Sequence, residues 1–188
     1  SRLGWIKRQR TRFHSQERQS AREYVSRESH YFLGRRYLLN VIESDGPSRI
    51  SRRGHTILEL QIPKRAGRLR REQILLGWYR KNLKALILPL IEKWEAKIGM
   101  KVESWGVRRM KTKWGSCNSV DRRVWLNLEL AKKPIHCLEY ILVHEMVHLI
   151  ERHHNDQFTV LMDQFLPNWR QCRDELNHAP LAHETWSY

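Results

Sequence analysis

The sequence predicts an α+β fold in which a small mixed sheet packs on one long helix and on a second, histidine-bearing helix. Apolar residues recur at helical spacing over residues 72–98, which predicts the long helix. Residues 135–150 are apolar around most of the helical circumference, as in a buried helix. Short segments rich in β-branched and aromatic residues and bounded by turn residues predict the strands. These segments are residues 31–33, 37–42, 55–62, 101–108 and 124–128.

The chain of 188 residues is long enough for a single domain with a core of its own. Within this domain we distinguish a basic N-terminal helix and β-hairpin region (residues 1–70), a core (residues 71–177) and a loose tail (residues 178–188). Residues 1–24 are predicted to form the N-terminal helix, because a thin apolar stripe runs among their charges. The hairpin is predicted to turn at Gly34.

Proline and glycine mark several boundaries. The long helix is expected to kink at Pro89, because an interior proline removes a backbone hydrogen bond. Gly99 is expected to end that helix. Residues 44–48, with Asp, Gly and Pro together, predict a loop. A short last helix is predicted over residues 169–176.

The second helix contains the pattern H-E-x-x-H at residues 144–148. At about 100° per residue, His148 lies roughly 40° around the helix from His144, and Glu145 lies roughly 60° from His148. Two neutral imidazoles on one face suit zinc, and a catalytic zinc takes three protein ligands and leaves a fourth position for water. The pattern therefore predicts a zinc site with Glu145 as the base that accepts a proton from this water.

The alternative is a pair of core histidines with Glu145 as an ion-pair partner. Burying an acid costs several kcal/mol unless it is compensated. The zinc site is preferred because it explains all three polar residues of a buried helix at once.

The third ligand is predicted to be His154. The next helix, residues 156–165, is preceded by Asn155, which is typical of a helix N-cap. The chain would leave the second helix near Glu151 and turn, so that a histidine in the turn can fold back over the metal. His153 and Glu151 are the alternative third ligands. Glu151 is less suitable because it lies within one turn of the second histidine on the same helix.

Several motifs together resemble a known family. The chain reads K-W-G-S-C at residues 113–117, L-N at residues 126–127 and H-E-M-V-H-L-I-E-R-H-H-N-D-Q-F at residues 144–158. This combination resembles the YgjP-like metallopeptidase domain family, which is related to the WLM and SprT-like zincins. The resemblance covers most of the chain and is strongest over residues 110–169.

The resemblance implies a zincin-like fold with Zn²⁺ as the cofactor. Matched residue by residue, His144, His148 and His154 are the metal ligands and Glu145 is the catalytic base. The sequence departs from the family pattern at His153 and at the residue after His154, where the family more often has Asn and Ser. These departures leave the ligands in place and leave His153 without an assigned role.

A substrate-binding edge is also expected. In zincins an extended substrate commonly adds as a strand to the sheet edge above the metal. By their place in the chain, Lys113, Trp114, Gly115 and Ser116 resemble that edge. The alternative is that Trp114 packs on the second helix and Gly115 permits a β-bulge. The two interpretations are compatible.

The resemblance thus implies a zinc-dependent metallopeptidase that hydrolyses peptide bonds in a protein or peptide substrate. A further donor would stabilise the oxyanion, and the candidates are Tyr140, His153, Arg109 and Lys113. The alternative function is a non-catalytic, basic module that contains zinc and associates with nucleic acid. A structural zinc would take a fourth protein ligand, for which His153 is the candidate.

Composition bears on partners and location. No apolar run reaches the ~20 residues of a membrane span, so no membrane partner is expected. Cys117, Cys137 and Cys172 are widely separated and odd in number, which argues against a disulfide framework and predicts a reducing, cytoplasmic location. Cys117 has no C-x-x-C partner and is interpreted as a small buried residue.

The net charge of +15 fits either a soluble basic surface or a polyanion partner, because Lys and Arg side chains neutralise phosphates in non-specific nucleic-acid binding. If nucleic acid is the partner, binding to generic DNA or RNA should weaken steeply as salt rises, since released counterions set the slope. A fluorescence-anisotropy titration over a series of salt concentrations measures this slope. Undetectable binding at low salt would make the charge a solubility feature.

Overall fold

A computed structural model of the chain describes residues 22–178. Its first sheet has four strands: β1 (Ser29–Phe32), β2 (Arg35–Glu43), β3 (Arg49–Arg53) and β4 (Ile57–Ile62). The strand order is β1-β2-β4-β3, with β2 and β4 parallel and the two outer pairs antiparallel. Side chains of β1, β2 and β4 alternate, so that one face of the sheet supplies buried residues. These are Phe32, Tyr37, Leu39, Leu58, Leu60 and Ile62.

The second sheet has three strands, β5 (Ser104–Arg108), β6 (Gly115–Asn118) and β7 (Arg123–Asn127). Their order is β5-β7-β6, with β5 parallel and β6 antiparallel to β7. β6 therefore lies at an edge of this sheet. A 3-10 turn, Leu128–Lys132, follows β7 directly and leads into the second helix.

The described residues contain four α-helices: α1 (Arg68–Ile98), α2 (Ile135–Val147), α3 (Asp156–Phe165) and α4 (Trp169–His178). α1 is the long helix, and its buried residues recur every three or four positions, which makes one continuous stripe. The stripe comprises Leu75, Tyr79, Leu83, Ile87, Ile91, Trp94 and Ile98. α1 reaches α2 through Glu139, whose Oε1 accepts hydrogen bonds from Lys93 Nζ at 2.6 Å and from Trp94 Nε1 at 2.9 Å.

The first sheet is fixed to the start of α2 through the β1–β2 turn. The backbone N–H groups of Leu33 and Gly34 donate to the carbonyls of Ala131 and Lys132, at 2.9 and 3.2 Å. Gly34 has φ +77°, and a Cβ placed there would lie 2.7 Å from Pro134 Cγ. The hairpin turn and the first residues of α2 are therefore packed too closely for a side chain at this position.

The α+β fold predicted from the sequence is confirmed, with the predicted sheet divided into two. Gly99 ends α1 with φ +74°, and its N–H donates to the Glu95 carbonyl as expected. α1 begins at Arg68 rather than at residue 72 and continues as helix through Pro89. α2 ends at Val147, earlier than the predicted exit near Glu151.

The structure contains one strand that was not predicted. β3 was not predicted, because its residues R-I-S-R-R hold one apolar side chain and lie at the sheet edge, where charged residues are common.

The predicted N-terminal helix lies outside the described residues except for residues 22–24, which are not helical. The predicted tail also lies outside them beyond His178. Within residues 22–178, no helix combines the length and apolar character that crossing a membrane requires.

Gly34→Ala is expected to destabilise the protein more than Gly54→Ala. Gly54 also has a positive φ, of +60°, but nothing lies within 4 Å of a Cβ placed there. Gly54→Ala should therefore lower the free energy of unfolding by about 1–2 kcal/mol, the cost of the left-handed conformation alone. Gly34→Ala should lose about 1–3 kcal/mol more, because the methyl group overpacks against Pro134. Chemical denaturation measures both values, and equal losses would contradict this account of the hairpin contact.

Candidate metal centre

α2 places two of the predicted ligands and the predicted base at one end of a buried helix. Most of its residues are buried, and they include Leu138, Ile141, Leu142, Val143, Met146 and Val147. His144 lies in its last turn, and His148 is the residue that caps its C-terminus. This burial holds the helix axis in place, so the directions of the two histidines are set by the core.

The turn after α2 brings the third histidine back. The N–H groups of Ile150 and Glu151 both donate to the Val147 carbonyl, at 2.9 and 3.0 Å, which closes the end of the helix. Asn155 caps α3, because its side chain accepts from the Phe158 N–H at 2.9 Å. The predicted N-cap is thereby confirmed. Between these two anchors the chain reverses, and His154 lies over the end of α2.

The three histidines meet at their Nε2 atoms. His154 Nε2 lies 3.0 Å from His144 Nε2 and 3.1 Å from His148 Nε2. The Phe158 ring packs against all three imidazoles, with ring centroids 4.7 to 4.9 Å away. Four ligands placed tetrahedrally at 2.0–2.1 Å from zinc are about 3.3 Å apart. The nitrogen spacing therefore fits one zinc-sized ion with little movement.

The protonation states also fit a metal. Burial, followed by the charges of the other two histidines, lowers the pKa of His144 to about 3, and burial lowers the pKa of His148. His148 Nδ1 lies 3.0 Å from the Glu151 carbonyl, which can only accept, so Nδ1 carries the proton and Nε2 keeps its lone pair.

His144 Nδ1 is buried with no hydrogen-bond partner among residues 22–178. The ring is held by edge contacts with Tyr140 and Phe158.

The two alternative ligands take other positions. The His153 N–H donates to Glu151 Oε1 at 2.9 Å, and the Glu151 carbonyl contacts His148, so both residues shape the turn. Of the side chains in and next to this turn, the described residues bring His144, His148 and His154 together as one group of possible metal donors. The structure thus brings together the three predicted ligands and leaves His153 outside them.

Glu145 is enclosed between α2 and β6. It is 6% exposed, and burial raises its pKa to about 8, while the charge of Lys113 acts in the opposite direction. A Cβ at Gly115 would lie 2.5 Å from Glu145 Oε1. Gly115 begins β6 and pairs with Leu126 of β7, and the pairing continues without the β-bulge of the alternative interpretation. The absence of a side chain at Gly115 admits the carboxylate of Glu145. This close approach could not be read from the sequence, because it joins residues far apart in the chain.

The loop before β6 is held by one buried amide that the sequence analysis did not single out as a site residue. Asn127 Nδ2 donates to the carbonyls of Met110 and Lys113, both at 2.8 Å. Its Oδ1 accepts from the N–H groups of Met110 and Glu129, at 3.4 and 3.2 Å. The backbone N–H of Asn127 also donates to the Trp114 carbonyl at 2.8 Å. Asn127 therefore sets the path of the chain into Gly115.

These elements enclose a cleft of about 890 Å³ beside the histidines. All four predicted edge residues line it: Lys113, Trp114, Gly115 and Ser116. Cys117 lines it as well and is half-buried, so its interpretation as a small buried residue is wrong in part. Burial and the nearby Glu145 raise the pKa of the Cys117 thiol to about 11. Arg152 and residues 118–121 also line the cleft and were not predicted.

The candidate oxyanion donors are separated by position. Tyr140 and Lys113 line the cleft, whereas the Arg109 guanidinium lies 3.7 Å from Glu72 Oε1 on α1. Burial raises the pKa of Tyr140 to about 12, so its hydroxyl keeps the proton that a donor needs. Its ring stacks on Trp169 of α4 with centroids 6.3 Å apart, which fixes its direction.

Comparison with known proteins defines the class of the molecule. A metal-ligand cluster, a buried glutamate and a cleft along an edge strand are the features of a metallopeptidase domain. Residues 1–179 match the family described as YgjP-like, metallopeptidase domain, and the chain belongs to this family. The family implies a metal cofactor.

One solved structure with some similarity is the crystal structure of the metallopeptidase zymogen of Pyrococcus abyssi abylysin. It shares 18% sequence identity with this chain at a TM-score of 0.45, and the match covers 48% of this chain and 90% of that one. A comparison with curated proteins finds no match.

His154→Ala is expected to weaken zinc binding by at least about tenfold, whereas His153→Ala should leave it near the wild-type value. Loss of a supporting group around a metal already costs 10–100-fold, and loss of a ligand should cost no less. The adjacent pair is matched, since both histidines lie in the same turn and only His154 belongs to the nitrogen cluster. Zinc content after dialysis and a chelator competition measure the affinity. A larger loss in His153→Ala would exchange the two roles.

Proposed function

We propose that this protein is a zinc-dependent peptidase that hydrolyses peptide bonds, with Glu145 as the general base. The observation that carries the proposal is the position of Glu145. Its buried carboxylate lines the same cleft as three histidines whose Nε2 atoms converge. Because Glu145 is otherwise enclosed by protein, a substrate would contact it from this cleft. A core ion pair, the alternative interpretation, would need a cation in contact with this carboxylate, and the described ion pairs include none to Glu145.

The donor set favours zinc. Imidazole nitrogen suits zinc and other borderline metals, and three histidines with an open fourth position are a known arrangement of catalytic zinc sites. Zinc held there would polarise the scissile carbonyl and lower the pKa of a water molecule towards ~7. Within residues 22–178 the cluster has three donors and His153 is not a fourth, which favours an open site over a structural one.

Glu145 supplies the proton transfer. Its carboxylate is poorly solvated between α2 and Gly115, which makes it a stronger base than a carboxylate in water. In the proposed reaction Glu145 accepts a proton from the attacking water and passes it to the amine that leaves. The Tyr140 hydroxyl and the Lys113 ammonium, both in the cleft wall, are the proposed donors to the oxyanion.

The substrate is proposed to bind as an added strand along β6. β6 lies at the edge of its sheet, paired on one side with β7, and all four of its residues line the cleft. An extended peptide could pair with the other side of this strand, which has no partner strand within residues 22–178, through main-chain hydrogen bonds that require little sequence specificity. Asn127 and Gly115 place this edge against Glu145, so the scissile bond would pass the base and the metal together.

Glu145→Gln is expected to keep zinc and the fold and to reduce cleavage of an unfolded protein such as casein by at least about 10²-fold. Glutamine has nearly the same shape, but it cannot accept the proton of water, and general-base catalysis is worth about 10²–10⁴-fold. Glu92→Gln, which makes the same chemical change at an exposed position of α1, is the matched control. Zinc content, melting temperature and cleavage rate are measured for the three proteins.

Two results would count against this proposal. Equal cleavage by wild type and Glu145→Gln would remove the base or identify the activity as a contaminant. Loss of zinc from Glu145→Gln would make the carboxylate a metal ligand, which contradicts the role given to it.

A further inference from the structure

A second cluster of metal-ligating side chains lies at the other end of α2. His136 and Cys137 are in its first turn, and Glu175 lies opposite them on α4. His136 Nε2 is 2.6 Å from Glu175 Oε2, and the ligand atoms of all three residues lie within 4.8 Å of one another. Neighbouring residues of a helix point about 100° apart, so the cluster closes only because α4 brings the carboxylate to it.

We propose that His136, Cys137 and Glu175 form a binding site for a borderline divalent cation such as Zn²⁺. A thiolate, an imidazole and a carboxylate are all ligands of zinc, and three of them leave a fourth position for water. Cys137 is fully buried, whereas the side chains of His136 and Glu175 are 49% and 47% exposed. Solvent therefore reaches the imidazole and the carboxylate, while the sulfur is buried.

Little movement is needed. Tetrahedral nitrogen and oxygen ligands are about 3.3 Å apart around zinc, so His136 and Glu175 must separate by less than about 1 Å from their present contact, and Cys137 Sγ already lies within 4.8 Å of both. Both are surface side chains whose rotation disturbs no buried packing. The α4 backbone is anchored independently through buried Trp169 and Cys172, so the donors on the two helices remain opposite each other.

The charges balance. Burial, followed by the charge of Glu175, raises the pKa of the Cys137 thiol to about 12, so the free thiol is protonated. On binding, the S–Zn bond forms, the S–H bond breaks and the proton leaves to solvent. One thiolate, one carboxylate and one divalent cation then sum to zero. The neighbouring Lys133 ammonium, which interacts with Cys137 and Glu175, therefore faces a neutral complex.

This site is separate from the three-histidine cluster. His136 and His144 are eight residues apart on one helix, which corresponds to about 12 Å along its axis. Metal ions that act together in two-metal centres are about 3.5–4 Å apart. The inferred ion would instead join α4 to the first turn of α2, and its presence does not depend on the proposed peptidase activity.

Cobalt(II) tests the proposal because a thiolate ligand gives a charge-transfer absorption in the near ultraviolet that histidine and carboxylate ligands do not give. The full chain is stripped of metal and titrated with Co²⁺. We expect this band in wild type and in His144→Ala, and its loss in Cys137→Ser. The matched controls are Cys172→Ser and Cys117→Ser, and both should keep the band. Cys172 is the other buried cysteine and lies on α4, and Cys117 lies in the cleft.

Exposed ligands provide a test that does not depend on replacing a buried residue. His136→Gln and Glu175→Gln should weaken the Co²⁺ affinity read from this band by at least about tenfold, since even supporting groups contribute this much. Absence of the band in wild type at saturating Co²⁺ would overturn the proposal. Its persistence in Cys137→Ser would also overturn it, because another cysteine would then supply the thiolate. Loss of the band in Cys172→Ser or in Cys117→Ser, with the band kept in Cys137→Ser, would identify which cysteine that is.

Discussion

The candidate site depends on the contact between the backbone of β6 and the carboxylate of Glu145. A single Cβ at Gly115 would come within 2.5 Å of Glu145 Oε1, so the strand can lie there only without a side chain. The carboxylate cannot withdraw, because α2 is buried on its other sides. Burial in this gap raises the pKa of Glu145 to about 8, and the residue lines the cleft together with Gly115. The strand edge and the proposed base are therefore in direct contact at the cleft.

That contact is maintained from the opposite end of the loop. A buried amide costs several kcal/mol unless it is hydrogen-bonded, and Asn127 meets this requirement with two donated and two accepted bonds. All four join the end of β7 to backbone groups of the loop before β6 or of the 3-10 turn before α2. One side chain thereby connects the cleft edge to the 3-10 turn that leads into the histidine-bearing helix α2. The fold positions the site through backbone contacts more than through contacts between side chains.

The sequence predicted the features that are local in the chain. The helical spacing of apolar residues located α1 and α2, and the buried residues of both helices confirm it. The H-E-x-x-H pattern predicted that three polar side chains lie on one face of α2. The β6 contact with Glu145 and the network of Asn127 were beyond it, because these join segments whose pairing is set by the whole fold. β3 was missed for a different reason, since an exposed, arginine-rich edge strand buries too little apolar surface to leave a pattern. Charge alone located no binding face.

The three predicted ligands are held by unequal means. His144 and His148 belong to a helix that the core fixes, whereas His154 is exposed and lies in a turn that depends on Asn155, Glu151 and the Phe158 ring. Their Nε2 atoms nevertheless lie about as close as ligands around one ion, although lone pairs that face one another repel. A cation bound between them would convert that repulsion into attraction. Because α2 is held by the core and His154 only by the turn, such a cation would stabilise the turn of residues 149–155 more than the helix.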